Sequence, residues 1–82
     1  MRGNHECRQM TTFFNFKQEC LLKYGAELYE VIMDSFDCLP ISCIVNDKFV
    51  AIHGGLSPDV KTIQDIQEIN RFIEPPKSGA FW

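Results

Sequence analysis

Residues 41–55 read Ile-Ser-Cys-Ile-Val-Asn-Asp-Lys-Phe-Val-Ala-Ile-His-Gly-Gly. Two apolar, β-branched runs, Ile41 to Val45 and Lys48 to Ile52, flank Asn46-Asp47. This dipeptide tolerates the positive φ angles that a two-residue hairpin turn demands. The stretch therefore predicts two antiparallel strands. Their near-continuous apolar character predicts burial on both faces. His53, Gly54 and Gly55 then fall at the end of the second strand, where loops commonly carry chemistry on a rigid support.

Upstream of the hairpin the periodicity changes from strand-like to helical. Phe13, Phe16, Cys20, Leu21 and Tyr24 recur at helical spacing and predict a helix over about 14–24, with an earlier helical start near Glu6. Gly25 interrupts it. Leu28, Tyr29, Ile32, Met33 and Phe36 form a second apolar stripe, with Glu27, Glu30, Asp34 and Asp37 opposite. That acidic row reads as a solvated face rather than a metal site. Leu39-Pro40 ends the helix, because proline disfavours helical backbone at the residue before it.

Downstream of the hairpin, Thr62 and Asp65 stand at the spacing of a helix cap. Ile63, Ile66 and Ile69 line the inner face of that short helix. Pro75 and Pro76 open an irregular segment. The order is loop, helix, helix, hairpin, loop, helix, so the fold class is mixed α/β.

Composition narrows the function classes. The chain has 82 residues, 45% of them hydrophobic. That is a folding composition, at a length near the ~70–80 residues below which a self-sufficient core is rare. Seven Phe, two Tyr and one Trp predict many buried rings, packed against something larger. The net charge of −3 lacks the basic footprint of a nucleic-acid binder. Apolar runs such as Phe49 to Ile52 fall far short of the ~20 residues of a membrane span. The polar start, Met-Arg-Gly-Asn-His-Glu, has no signal-peptide core. These features predict an intracellular, cytoplasmic protein. The four cysteines, Cys7, Cys20, Cys38 and Cys43, contain no Cys-x-x-Cys pair and are expected to be reduced and mostly buried.

Two polar clusters stand at element edges, Arg2 to Glu6 and His53 to Gly55. Asparagine offers a neutral carbonyl oxygen and histidine an imidazole nitrogen, and both ligate transition metals. Adjacent glycines let the backbone turn sharply and come close to a ligand. Each cluster alone also reads as an ordinary hydrogen-bonded turn.

Together the clusters carry a resemblance. Arg2-Gly3-Asn4-His5-Glu6 is identical to the RGNHE signature of the phosphoprotein phosphatases, and Ile52 to Pro58 resembles their HGGLSP signature. Phe36 to Pro40, Phe-Asp-Cys-Leu-Pro, lies between them as in the family. Phe14 to Cys20 and Arg71 to Pro76 are similar to FxFKQEC and RFxEPP of the calcineurin branch. Other branches usually carry a GFYDEC-like segment at the first of these positions.

The resemblance runs over essentially all 82 residues and implies part of a four-layer α-β-β-α metallophosphatase sandwich. Residues 1–82 would be the central segment of its catalytic domain. It implies Asn4 and His53 as ligands of one metal and His5 as a general acid that binds no metal. The cofactors implied are two ions, iron with zinc, or manganese. The substrates implied are phosphoserine and phosphothreonine in proteins. For the full chain it implies a calcineurin regulatory subunit and calmodulin as partners.

The family's GDxHG and GDxVDRG motifs, which supply further ligands and a phosphate-binding arginine, do not occur here, and neither does LWSDP. The chain alone is therefore expected to be inactive. Arg2 is discounted as a phosphate clamp, because the family's phosphate-binding arginines lie elsewhere. The alternative function is a non-enzymatic truncated or decoy protein retaining a phosphatase surface. Related metal-dependent nucleases and phosphodiesterases share only Asn-His-Glu.

Overall fold

A computed structural model describes residues 1–77, and Phe81 and Trp82 lie outside that range. The described order is α1 (Arg8–Phe13), α2 (Phe16–Lys23), α3 (Ala26–Asp37), β1 (Ser42–Val45), β2 (Phe49–Ile52) and α4 (Ile63–Gln67). This is the α/β order read from the sequence, with one added break. The helix expected over 14–24 is α2, and the helical start expected near Glu6 is a separate helix, α1; the two meet at Phe14 and Asn15.

The break has a local cause. Thr11 and Thr12 turn their hydroxyls back onto the carbonyls of Cys7 and Arg8, at 2.8 and 2.7 Å, a bonding mode that bends helices. Phe14 then leaves the helix with φ −89° and ψ 159°, its N–H still donating to Met10 O. The N-terminal end of α1 is capped by Cys7 Sγ, which accepts the Met10 N–H at 3.4 Å.

Gly25, at φ +96°, is the kink between α2 and α3. A side chain is strained in that left-handed region, which explains glycine there. Across the kink, α3 lays Tyr29 and Met33 onto Cys20, with Ile32 and Phe36 alongside. The Tyr29 hydroxyl shares a 2.8 Å hydrogen bond with Thr11 Oγ1, so the buried phenol is satisfied and α1 is pinned to α3.

The hairpin turn matches its sequence signal. Asn46 and Asp47 both have φ +51°, and the register pairs Val45 with Phe49 and Ser42 with Ile52. Burial does not match. Ile44, Val45, Phe49 and Val50 are 45–66% exposed. The described residues contribute one two-stranded sheet, and neither of its faces is covered along its length. The aromatic expectation is corrected in the same way: Tyr29 is buried, whereas Phe13, Phe14, Phe16, Tyr24, Phe49 and Phe72 are exposed. All four cysteines are free; Cys7 and Cys20 are buried, but Cys38 and Cys43 are exposed. After the hairpin, Thr62 and Asp65 form the full reciprocal capping box of α4. Backbone N–H groups of Lys61 and Thr62 on its carboxylate lower the Asp65 pKa. No helix among the described residues is long and apolar enough to cross a membrane.

The acidic row of α3 is not simply solvated. Arg2, 1% exposed, donates from Nη2 to Asp37 Oδ1 at 3.1 Å and from Nε to Glu6 O at 2.8 Å. Its Nη1 donates to the carbonyls of Arg71 and Ile73 at 2.6 and 3.0 Å. Arg8 spans Asp34, Asp37 and Glu74 at 3.0–3.2 Å. Glu74 in turn accepts the N–H groups of Arg8 and Gln9 at the start of α1.

Burial alone would raise the Glu74 pKa. These donors outweigh burial and hold it below its ordinary value of 4.5. A carboxylate lowered in the folded state contributes stability above its unfolded pKa and loses it as pH falls through the folded value. For Arg8, burial disfavours the charge, but Asp37 and Glu74 more than compensate and raise its pKa.

Two arginines therefore occupy one acidic cluster with different burial. Arg2→Met should cost about 3–5 kcal/mol, the scale for breaking a buried ion pair, read as a fall in the urea midpoint. Arg8→Met, at a side chain 36% exposed, should cost about 1 kcal/mol or less. Equal losses would contradict the keystone role of Arg2.

Candidate metal centre

The Gly3-to-Glu6 loop is shaped by its own ends. Arg2 N–H donates to Pro40 O at 2.8 Å, which fixes where the loop starts. Glu6 Oε2 accepts the Gly3 N–H at 2.8 Å, and Glu6 N–H donates to Gly3 O at 3.2 Å. The loop thus closes on itself. The Glu6 carboxylate is spent on backbone and does not serve His5. Cys7 N–H on His5 O, 2.9 Å, leads into α1.

The second half of the site is the residue after β2. His53 leaves Ile52 at the strand's end, and its Nε2 stands 3.0 Å from Asn4 Oδ1, a contact across 49 positions. Gly3 makes this approach possible. A Cβ at Gly3 would lie 2.7 Å from Glu6 Oε2 and 2.9 Å from both Cε1 and Nδ1 of His53, closer than real Cβ contacts allow. The glycine in the motif is therefore a matter of space.

His5 goes elsewhere. Its ring stacks on Phe14, centroids 5.0 Å apart and planes inclined by 26°. Together with Glu6, Met10 and Phe36 it borders a cavity of ≈ 200 Å³. A larger cleft of ≈ 400 Å³ lies beside His53, walled by Ile52, Leu56, Val60 and Ile63. Of the three residues singled out in the sequence, the structure brings Asn4 and His53 into contact and turns His5 toward an aromatic neighbour.

The donor set suits a cation in part. Asn4 Oδ1 is a neutral oxygen, His53 Nε2 an imidazole nitrogen, and both are exposed. At 3.0 Å the two donors are near enough to face one ion, and the same distance is that of an ordinary hydrogen bond. No group of three or more His, Cys, Asp or Glu able to hold a metal exists among the described residues. The pair therefore fits as part of a coordination sphere and does not complete one.

A sequence profile for calcineurin-like phosphoesterases matches residues 1–82. The chain belongs to the calcineurin-like phosphoesterase family. Over 79 residues this phosphoesterase chain is 44% identical to the serine/threonine-protein phosphatase 2B catalytic subunits A1 and A2 of Saccharomyces cerevisiae. The match takes in 96% of this chain and 14% and 13% of those two proteins. It is 48% identical over 82 residues to the serine/threonine-protein phosphatase PP2A-like PPG1 of the same yeast, covering 98% of this chain and 22% of that one. The fold matches a solved structure of a Saccharomyces cerevisiae protein serine/threonine phosphatase similar to human phosphatase PP5. The TM-score is 0.91 at 36% identity, over 96% of this chain and 25% of that one. The chain thus spans about a seventh to a quarter of the length of these relatives.

Sequence reasoning misses one residue of the site, Phe14, which enters only as part of a branch motif; the close approach expected at the glycine beside Asn4 is found at Gly3. The Asn-His pair itself, preceded by glycine, was the one local signal of a close approach. The contact with His53 makes a specific expectation. Gly3→Ala should displace the His53 ring from Asn4, read as shifted His53 side-chain NMR signals with those of His5 nearly unmoved. Unmoved His53 signals would mean that the loop absorbs the added methyl.

Proposed function

We propose that this chain works as part of the catalytic domain of a metal-dependent serine/threonine protein phosphatase of the calcineurin branch. The observation that carries this reading is the Asn4–His53 contact, 3.0 Å across 49 positions, between two signature motifs. The branch assignment is supported by the segments Phe14 to Cys20 and Arg71 to Pro76, together with the similarity to phosphatase 2B subunits.

In this reading Asn4 Oδ1 and His53 Nε2 hold one ion of a pair, iron with zinc or manganese. When bound, such ions supply Lewis-acid polarisation of the phosphoryl group and activation of water. His5 binds no metal. It acts on the leaving group: as a water oxygen bonds to phosphorus, giving inorganic phosphate, the P–O ester bond breaks and its electron pair stays with the serine or threonine oxygen. That oxygen takes a proton from the His5 imidazole. A well-placed general acid of this kind contributes about 10²–10⁴-fold.

The substrates in this reading are phosphoproteins. A regulatory subunit and calmodulin would act on the complete protein. By itself the 82-residue chain offers two ligands for one ion, below the three protein ligands typical of a catalytic site, and is inactive.

The two histidines separate by experiment in the complete protein. His5→Gln should retain metal and lose about 10²-fold or more in kcat on a phosphoserine peptide. His53→Ala should lose both metal and rate. Metal analysis beside the kinetics decides: a metal-free His5→Gln protein would remove His5 from the role of acid.

A further inference from the structure

His5 has no side-chain hydrogen bond among the described residues, and its one ring contact is Phe14. An exposed imidazole with two free torsions otherwise samples several rotamers. Here the nearly parallel rings, 5.0 Å apart and inclined by 26°, restrict the imidazole plane. Phe14 is itself held. Its N–H donates to Met10 O at 2.8 Å as α1 ends, and the turn to extended backbone at this residue takes it out of the helical path. Phe13 stands edge-on to it, centroids 4.9 Å apart and planes at 88°. Phe14 thus stands at a helix break with the imidazole stacked on its ring and the exposed Phe13 ring edge-on to it.

We infer that Phe14 is a positioning residue for His5: its ring fixes the imidazole plane so that the proton is aimed at the departing serine or threonine oxygen. The inference rests on His5 being the general acid, and goes beyond it by naming what orients the acid. The end of α1 at Phe13 is what puts the Phe14 ring there. A continuous helix would carry residue 14 onward along the helical path rather than into the extended backbone that holds its ring on His5.

The consequence is a dependence on the leaving group. Serine alkoxide is a poor leaving group and needs the proton. The acidic phenol of p-nitrophenyl phosphate departs without one. In the complete protein with its metals, Phe14→Leu should lower kcat on a phosphoserine peptide about 3–10-fold, the scale of one aromatic pair, with KM unchanged. On p-nitrophenyl phosphate the same variant should keep nearly full kcat. Phe14→Tyr, which retains the ring face and guards against a simple folding defect, should restore the peptide rate. In a His5→Gln background Phe14→Leu should cost nothing more. The His5 ring protons should show an upfield ring-current displacement that Phe14→Leu abolishes and Phe14→Tyr keeps.

Equal loss on both substrates, a rise in KM alone, or further loss in the His5→Gln background would overturn the positioning role. If His5→Gln slows the peptide reaction but Phe14→Leu does not, only this inference fails. If His5→Gln leaves the peptide rate unchanged, the general-acid reading fails and takes the inference with it.

Discussion

One buried guanidinium holds this structure to its shape. Arg2 is taken out of water, which costs several kcal/mol for an unpaired ion. That cost is offset by Asp37 at the end of α3 and by three backbone carbonyls, Glu6 in its own loop and Arg71 and Ile73 far along the chain. Through these bonds the N-terminal loop, the C-terminal end of α3 and residues 71–73 become one body. The small core of Cys20, Tyr29 and Met33 joins α2 to α3, with Phe36 alongside, but contains no residue of the N-terminal loop or of 71–73. The loop that presents Asn4 is therefore placed by polar contacts rather than by apolar burial. Each residue of the Arg-Gly-Asn-His-Glu run has its own task. Arg2 anchors, Gly3 makes room for His53, Asn4 faces His53, His5 meets Phe14, and Glu6 closes the loop.

What the sequence made legible was chemistry decided within a few residues. Asn46-Asp47 specified the hairpin because two consecutive positive φ values suit few other pairs. Thr62 and Asp65 specified the start of α4 because a capping box is local. Where a partner came from far along the chain, the reading failed. Asp37 looked like one more surface acid of α3, and only folding reveals that Arg2 and Arg8 converge on it. The helix break at Phe14 was hidden because Thr11 and Thr12 do not announce which way their hydroxyls turn. The hairpin's apolar faces promised a buried sheet. Burial depends on what packs above and below, and the described residues contribute only two strands.

The site follows the same division. Asn4, His5 and His53 were identifiable from signature motifs and from the donor chemistry of their side chains. The family membership and the match to a solved phosphatase at TM-score 0.91 agree with those motifs. That Asn4 and His53 touch could be anticipated only through the resemblance, since 49 positions separate them. The stacking of His5 on Phe14 had no sequence signal at all, because nine-residue spacing across a broken helix has no fixed geometry. The exposed strands and the two-donor centre describe one situation. Both the sheet and the coordination sphere call for groups that residues 1–77 do not supply.

We propose above all that Asn4 and His53 share one metal ion in the complete protein. Anomalous X-ray diffraction from crystals of that protein, recorded at the absorption edges of iron, zinc and manganese, tests it directly. The account predicts an anomalous peak within about 2.0–2.2 Å of both Asn4 Oδ1 and His53 Nε2, with none against His5. A peak bonded to His5, or metal bound with Asn4 and His53 still hydrogen-bonded to each other, would contradict it.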